Sequence, residues 1–282
     1  MAAEATIKRP LLKYFILTYV IFLVLFGITG ATLALNLPSI IPDALQVICA
    51  WSPTFALLIL FKKIIPDQTL GEFVNRQFAS KVALGQLALA IGIQVLVFIG
   101  MVVLVSASNN IPLLSAINTS ASVLVLGFFN MLIRGPLGEE IGWRGYALNH
   151  LQKTHSPLVA SLIIGIVWGF WHTPLWIVTS GYTGVQLIEY AALFLVGIIA
   201  TSVIMTYFYN KNKNLLIPIV IHQLLNYSGF LVNADGMQTM FYQALLCLVA
   251  AIVLVIVNPK QFIEKNITSV QSELGIRQQR EA

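Results

Sequence analysis

About eight apolar runs recur along this chain, each close to the roughly 20 residues that a helix needs to cross the hydrocarbon of a bilayer. They lie near 12–35, 44–61, 82–105, 115–137, 157–179, 185–209, 215–232 and 237–257. No other feature constrains the fold as tightly. Composition agrees: 58% of the residues are hydrophobic and only 10% are charged, against about a quarter charged in a soluble domain. The expected class is all-α, a polytopic membrane protein whose bundle of about eight transmembrane helices makes residues 1–282 a single transmembrane domain.

Prolines 38, 42, 112 and 157 punctuate the gaps between runs. Residues 66–81 are polar enough for an interfacial segment, 139–154 read as a short amphipathic helix, and 258–282 as a polar cytoplasmic tail. The first run has basic residues before it and "ATLA" at 31–34 after it, as a signal peptide would. It exceeds the 7–15 residues of a signal core, so an uncleaved first span is expected. With eight spans both termini share one side. Placing them in the cytoplasm puts Lys8, Arg9, Lys13, Lys62, Lys63, Arg76, Lys81, Arg134, Arg144, Lys153, Lys211, Lys213, Lys260, Lys265, Arg277 and Arg280, all 16 basic residues, on that side. The opposite loops hold Asp43 and Asp235. This is a strong positive-inside asymmetry. It accounts for the net charge of +5 and leaves no dense basic run for nucleic acid. Cys49 and Cys247 sit in apolar context and read as small buried hydrophobes.

Four sites break the apolar pattern, and ionisable residues inside spans are functional candidates. In "RGPLGEEIGWRG", Glu140 and Arg144 are four apart and face each other on a helix. That pair alone is equally well structural. Consecutive helical residues point about 100° apart, so Glu139 faces elsewhere, free to act as a general base. In "SLIIGIVWGFWHTPLW", Ser161, Gly165 and Gly169 form a small-xxx-small stripe for close helix packing, and His172 continues towards that interface. A structural histidine bonded to a neighbouring helix is an equal rival there. In "HQLLN", His222 and Asn226 share one face. Counting 1.5 Å per residue puts His222 about 10 Å deep and His172 about 20 Å deep, a mismatch for one site. Glu189 near the outer end of its run has a snorkelling role.

The order Glu-Glu-x-x-x-Arg, aromatic-x-x-x-His and His-x-x-x-Asn on successive spans resembles the CPBP family. That family comprises type II CAAX prenyl endopeptidases and bacterial relatives linked to bacteriocin processing and immunity (Abi). The motifs lie within 130–230. The second usually opens with phenylalanine, whereas here Trp168 stands four before His172. The resemblance implies an intramembrane endopeptidase acting on a CAAX-type prenylated or other hydrophobic, membrane-associated peptide, with membrane lipid around it and no nucleic-acid partner. It implies that Glu139 and His172 activate water, that His222 and Asn226 hold the oxyanion, that Arg144 holds Glu140, and that the site opens to the cytoplasm. It also leaves zinc open, with His172, His222 and Glu139 as ligands, although no H-E-x-x-H is present; direct catalysis by Glu139 and His172 is the slightly favoured alternative. The same buried acids and histidines also suit a proton-coupled transporter, or a non-catalytic membrane scaffold or immunity protein.

Overall fold

The computed structural model describes residues 9–264. The termini beyond them, with most of the polar tail and Lys8, Lys265, Arg277 and Arg280, lie outside the described residues. The chain is helical throughout, and among the described residues the only β feature is an isolated antiparallel bridge between Ile117 and Val232.

All eight apolar runs have helical counterparts. Helix α1 (Pro10–Ala34) is followed by α2 (Ile40–Ala50), α3 (Ser52–Ile64), a short α4 (Leu70–Phe78) and α5 (Leu84–Asn109). Next come α6 (Ala121–Ile133), α7 (Pro136–Glu140), a π-helical stretch (Ile141–Leu148) and α8 (Asn149–Leu151), which together make one broken span. The rest are α9 (Pro157–Trp171), α10 (Thr173–Thr179), α11 (Gly184–Asn212), α12 (Leu216–Leu231), α13 (Gly236–Val257) and α14 (Pro259–Ile263). Six segments among the described residues are long and apolar enough to cross a membrane, and a seventh is the α2–α3 pair, bent by 53°. The bend falls where Pro53 enters the first turn of α3, a position that needs no N–H from proline. Helix α12 has only 16 residues. The chain is an integral membrane protein.

Local sequence explains the boundaries. Thr69 and Glu72 form a reciprocal capping box that starts α4, and hydrogen bonding from the Thr69 amide and side chain holds the Glu72 carboxyl below its ordinary range. Ser156 caps α9 ahead of Pro157, and Asp235 caps α13 by accepting from two backbone amides. The small-residue stripe works as expected. Ser202 Oγ donates to the Ser161 carbonyl at 2.9 Å, and a Cβ on Gly165 would meet Ile199 Cα at 2.7 Å, so α9 and α11 approach backbone to backbone.

The loops sort onto two faces. On one, Asn214 reaches the carbonyls of Phe78 and Ser80, Asn212 holds the Ala83 amide and Asn210 reaches Gln152. On the other, Asn233 joins Ala116 and Asn109 joins Gln238. Every described basic residue belongs to the first face except Arg134 and Arg144, which corrects their placement in a cytoplasmic loop. Arg144 is fully buried. Arg134 ends α6 and pairs at 3.2 Å with Asp43, a residue the charge pattern puts on the opposite side. The physical reason is that α6 stops after 13 residues, about 20 Å at 1.5 Å each, so Arg134 lies inside the bundle and a long side chain can reach α2. Residues 136–148 are likewise not interfacial: Pro136, Gly138, both glutamates and Gly142–Leu148 are all buried. They form a plug between the basic face and the middle of the bundle.

Candidate active site

The plug carries the acids. Pro136 opens α7 directly after Gly135, so the chain restarts a helix in mid-bundle with two carboxylates in its only full turn. Their directions differ as helical geometry requires. Glu140 Oε1 receives Arg144 Nη1 at 3.1 Å and His222 Nδ1 at 2.8 Å. Glu139 takes no part in those bonds, and its Oε2 accepts the indole N–H of Trp168 at 2.6 Å. Glu140 is 0% exposed and Glu139 2%. The π-helical stretch that follows widens the turn, a distortion found mostly at functional sites. Within it Arg144 reaches Glu140 while its guanidinium lies 4.3 Å from the centre of the Trp168 ring, a buried cation–π contact.

His172 sits where α9 ends and α10 begins. Its Nδ1 is 2.8 Å from the Trp168 carbonyl. A carbonyl only accepts, so Nδ1 carries the hydrogen and Nε2 keeps a lone pair. The ring is wedged against Trp171 and Phe194, with centroids 4.7 Å and 4.9 Å away. His222 is fixed in the same manner by the Glu140 carboxylate, which leaves its Nε2 at the far edge of the ring.

Gly135 shows where these atoms converge. A Cβ at that residue would stand 3.0 Å from Asn226 Nδ2, 3.4 Å from His222 Nε2 and 3.5 Å from Glu139 Oε1. Two donors or potential donors and one carboxylate oxygen therefore surround a single point. The point stays open because residue 135 is glycine. Glu139, His222 and Asn226 also line a cavity of about 370 Å³, together with Arg134, Trp168, His172 and a largely apolar remainder.

All six candidates from the sequence are thus brought together. The apparent depth mismatch between the histidines has a cause. Helix α12 starts below the surface: Asn214 and Leu215 are 3% and 0% exposed, and the Leu215 amide donates to the Gln77 carbonyl in α4. Depth counted from Leu215 was counted from an interior point.

Three residues at the site were not singled out by sequence. Trp168 enters the sequence pattern only as the aromatic residue four before His172, yet it contacts Glu139, Arg144, His172 and His222. Its signal was visible, a tryptophan where phenylalanine is usual, since only tryptophan supplies an N–H. Gly135 and Arg134 carried no signal beyond their place before the acids.

The zinc ligand set does not fit. Among the described residues no three of His, Cys, Asp and Glu form a group able to hold a metal ion, and a catalytic zinc needs three protein ligands and an open position. Glu139 has one oxygen committed to Trp168, and Glu140 is committed to Arg144 and His222.

A family model described as type II CAAX prenyl endopeptidase Rce1-like matches residues 120–228. All six residues above fall inside that stretch. A curated relative, CAAX prenyl protease 2 of Methanococcus maripaludis, is 29% identical over 264 residues, covering 89% of this chain and 95% of that protein. Both findings support the CPBP family.

The cavity is not central. Met240 and Gln243 in its lining follow Gly236 by about 6 and 10 Å, counted from the face opposite the basic loops. His172 lies about 22 Å from the basic end of α9 by the same rise, and the buried plug stands between. Part of the lining therefore stands nearer the face opposite the basic loops.

Proposed function

We propose that this protein is an intramembrane endopeptidase that hydrolyses a peptide bond near the C-terminus of a CAAX-type or similar membrane-associated peptide. The observation that carries this reading is the convergence of Glu139 Oε1, His222 Nε2 and Asn226 Nδ2 on one point beside Gly135. Water held against Glu139 Oε1 gives up a proton to the carboxylate and attacks the scissile carbonyl. His172 Nε2, with its lone pair free, shares that proton. The carbonyl oxygen becomes an oxyanion that Asn226 Nδ2 and the doubly protonated form of His222 hold by donation. Each such donor contributes about 10²–10³ in rate. The proton then passes to the amine nitrogen, the C–N bond breaks, and a carboxylic acid and an amine leave. No step passes through a metal.

Purified protein in detergent micelles, incubated with prenylated and unprenylated peptides of CAAX type, tests this. Cleavage is expected, and it is expected to persist after chelation and dialysis. Loss of cleavage on metal removal, restored by zinc alone, would replace direct catalysis with a metal mechanism.

Trp168→Phe keeps the ring against Arg144 and His222 and removes the hydrogen bond to Glu139. A bond to a charged group is worth about 1.5–3 kcal/mol, so kcat is expected to fall about tenfold or more with KM little changed. An unchanged kcat would reduce Trp168 to packing.

The basic loops support a cytoplasmic basic face, and the lining then supports substrate entry from the other leaflet. Single cysteines test it in a Cys49→Ala, Cys247→Ala background. An impermeant maleimide added to intact cells is expected to label Leu114→Cys and to spare Lys63→Cys. The reverse pattern would put the cavity mouth in the cytoplasm.

A further inference from the structure

Arg134 is a cation in the wall of the cavity for which the reaction above has no use. Apart from the catalytic candidates and Gln243 the lining is apolar, with Met131, Phe194, Leu225 and Phe230 among it, so a further cation is out of place for a wall that only accommodates an apolar chain. Its guanidinium is held from one side, Nη1 by Gln46 and Nη2 by Asp43. Its Nε is buried and has no hydrogen-bond partner. The counter-ion is loosely held, since the Asp43 side chain is 53% exposed against 26% for Arg134, and an exposed ion pair contributes little. Arg134 is thus positioned, only partly neutralised, and one peptide unit from Gly135, where the reacting atoms converge.

From this geometry we infer that Arg134 is the anchor for the free C-terminal carboxylate of the peptide, a specificity residue that makes the enzyme act near chain ends. The inference rests on the proteolytic reading of the same cavity. A guanidinium suits a carboxylate because it is a planar fork in which each Nη carries a second N–H, so a charge-assisted bond can form beside those to Gln46 and Asp43. In an apolar wall that bond is shielded from water. The neighbouring Gly135 fixes the reach. An extended peptide spans at most about 3.3–3.6 Å per residue, so a carboxylate seated on Arg134 leaves only a few residues to the bond beside Glu139. Asp43 and Gln46 then act as positioning residues that aim the guanidinium.

Binding is the readout, so that the test survives a failure of catalysis. The probe is a fluorescently labelled, N-acylated tetrapeptide with apolar side chains, made once with a free C-terminal carboxylate and once as the amide. Anisotropy is measured with Glu139→Gln protein in detergent micelles, which cannot turn the probe over if Glu139 is the base. The acid is expected to bind at least about tenfold more tightly than the amide, as loss of one charge-assisted bond implies. Adding Arg134→Gln should collapse that ratio to near one by weakening the acid and sparing the amide. Arg134→Lys keeps the charge without the fork and should retain part of the preference. Asp43→Asn should weaken the acid and spare the amide, because the guanidinium is then aimed less firmly. Equal binding of acid and amide, no binding of either, or a ratio unchanged by Arg134→Gln and Arg134→Lys would each overturn the assignment. Cleavage by wild-type protein is scored separately: a preference for the acid without cleavage would sink the protease reading and leave the carboxylate site standing.

Discussion

Replacing Glu139 with glutamine is expected to lower kcat by about 10³-fold or more while leaving the protein folded. General-base catalysis contributes about 10²–10⁴, and an amide cannot take the proton from water. The substitution is otherwise gentle. Glutamine has nearly the same shape, and its carbonyl oxygen can accept the Trp168 indole N–H in place of Glu139 Oε2. Glu140, Arg144 and His222 bond to one another and not to Glu139, so their buried cluster is undisturbed. The oxyanion donors Asn226 and His222 also remain, which leaves a residual rate above background. The expected signature is therefore a kcat effect with KM close to that of the wild type and an unchanged unfolding midpoint in detergent. A variant that retains most of its activity would move the base role to His172, whose Nε2 faces the same cavity.

The fold was legible because lipid enforces one simple rule, a long apolar helix for each crossing; six described segments follow it, a bent pair makes a seventh, and the run at 215–232 forms a helix of only 16 residues. The division of labour between the two acids was legible too, because neighbouring helical residues cannot share a direction. What the sequence hid is tertiary. The π-helical stretch at Ile141–Leu148 has no local signature, and the sequence 139–154 looked amphipathic because charged residues in a buried plug resemble charged residues at an interface. Arg134 was misplaced for a related reason. Counting charges assigns a residue to a side by its neighbours in sequence, whereas its position depends on α6 being short and on Asp43 reaching it from another helix. His222 was misjudged because the start of α12 lies beneath α4, and only packing reveals that.

Glu140 is expected to be the residue whose loss costs most in stability. Its carboxylate holds Arg144 and His222 together where Arg144 is 0% exposed, and two nitrogens of that guanidinium, Nε and Nη2, already lack hydrogen-bond partners. Glu140→Ala would strand a buried cation with only the Trp168 face beside it, a loss of about 3–5 kcal/mol for breaking a buried pair. It would also free the His222 ring, so stability and activity should fall together, and that single variant cannot separate structure from chemistry. The pair Glu140→Gln with Arg144→Met can. Removing both charges avoids the stranded ion, and buried ion pairs are often replaced by apolar groups at little net cost. Glutamine at 140 still offers an oxygen to His222 Nδ1, but no longer a charge to support the doubly protonated ring that donates to the oxyanion. The unfolding midpoint should therefore recover well above that of Glu140→Ala, while kcat stays at least about tenfold down. A double variant as active as the wild type would show that Glu140 serves the fold alone. A double variant no more stable than Glu140→Ala would show that the stranded charge is not what destabilises the single one.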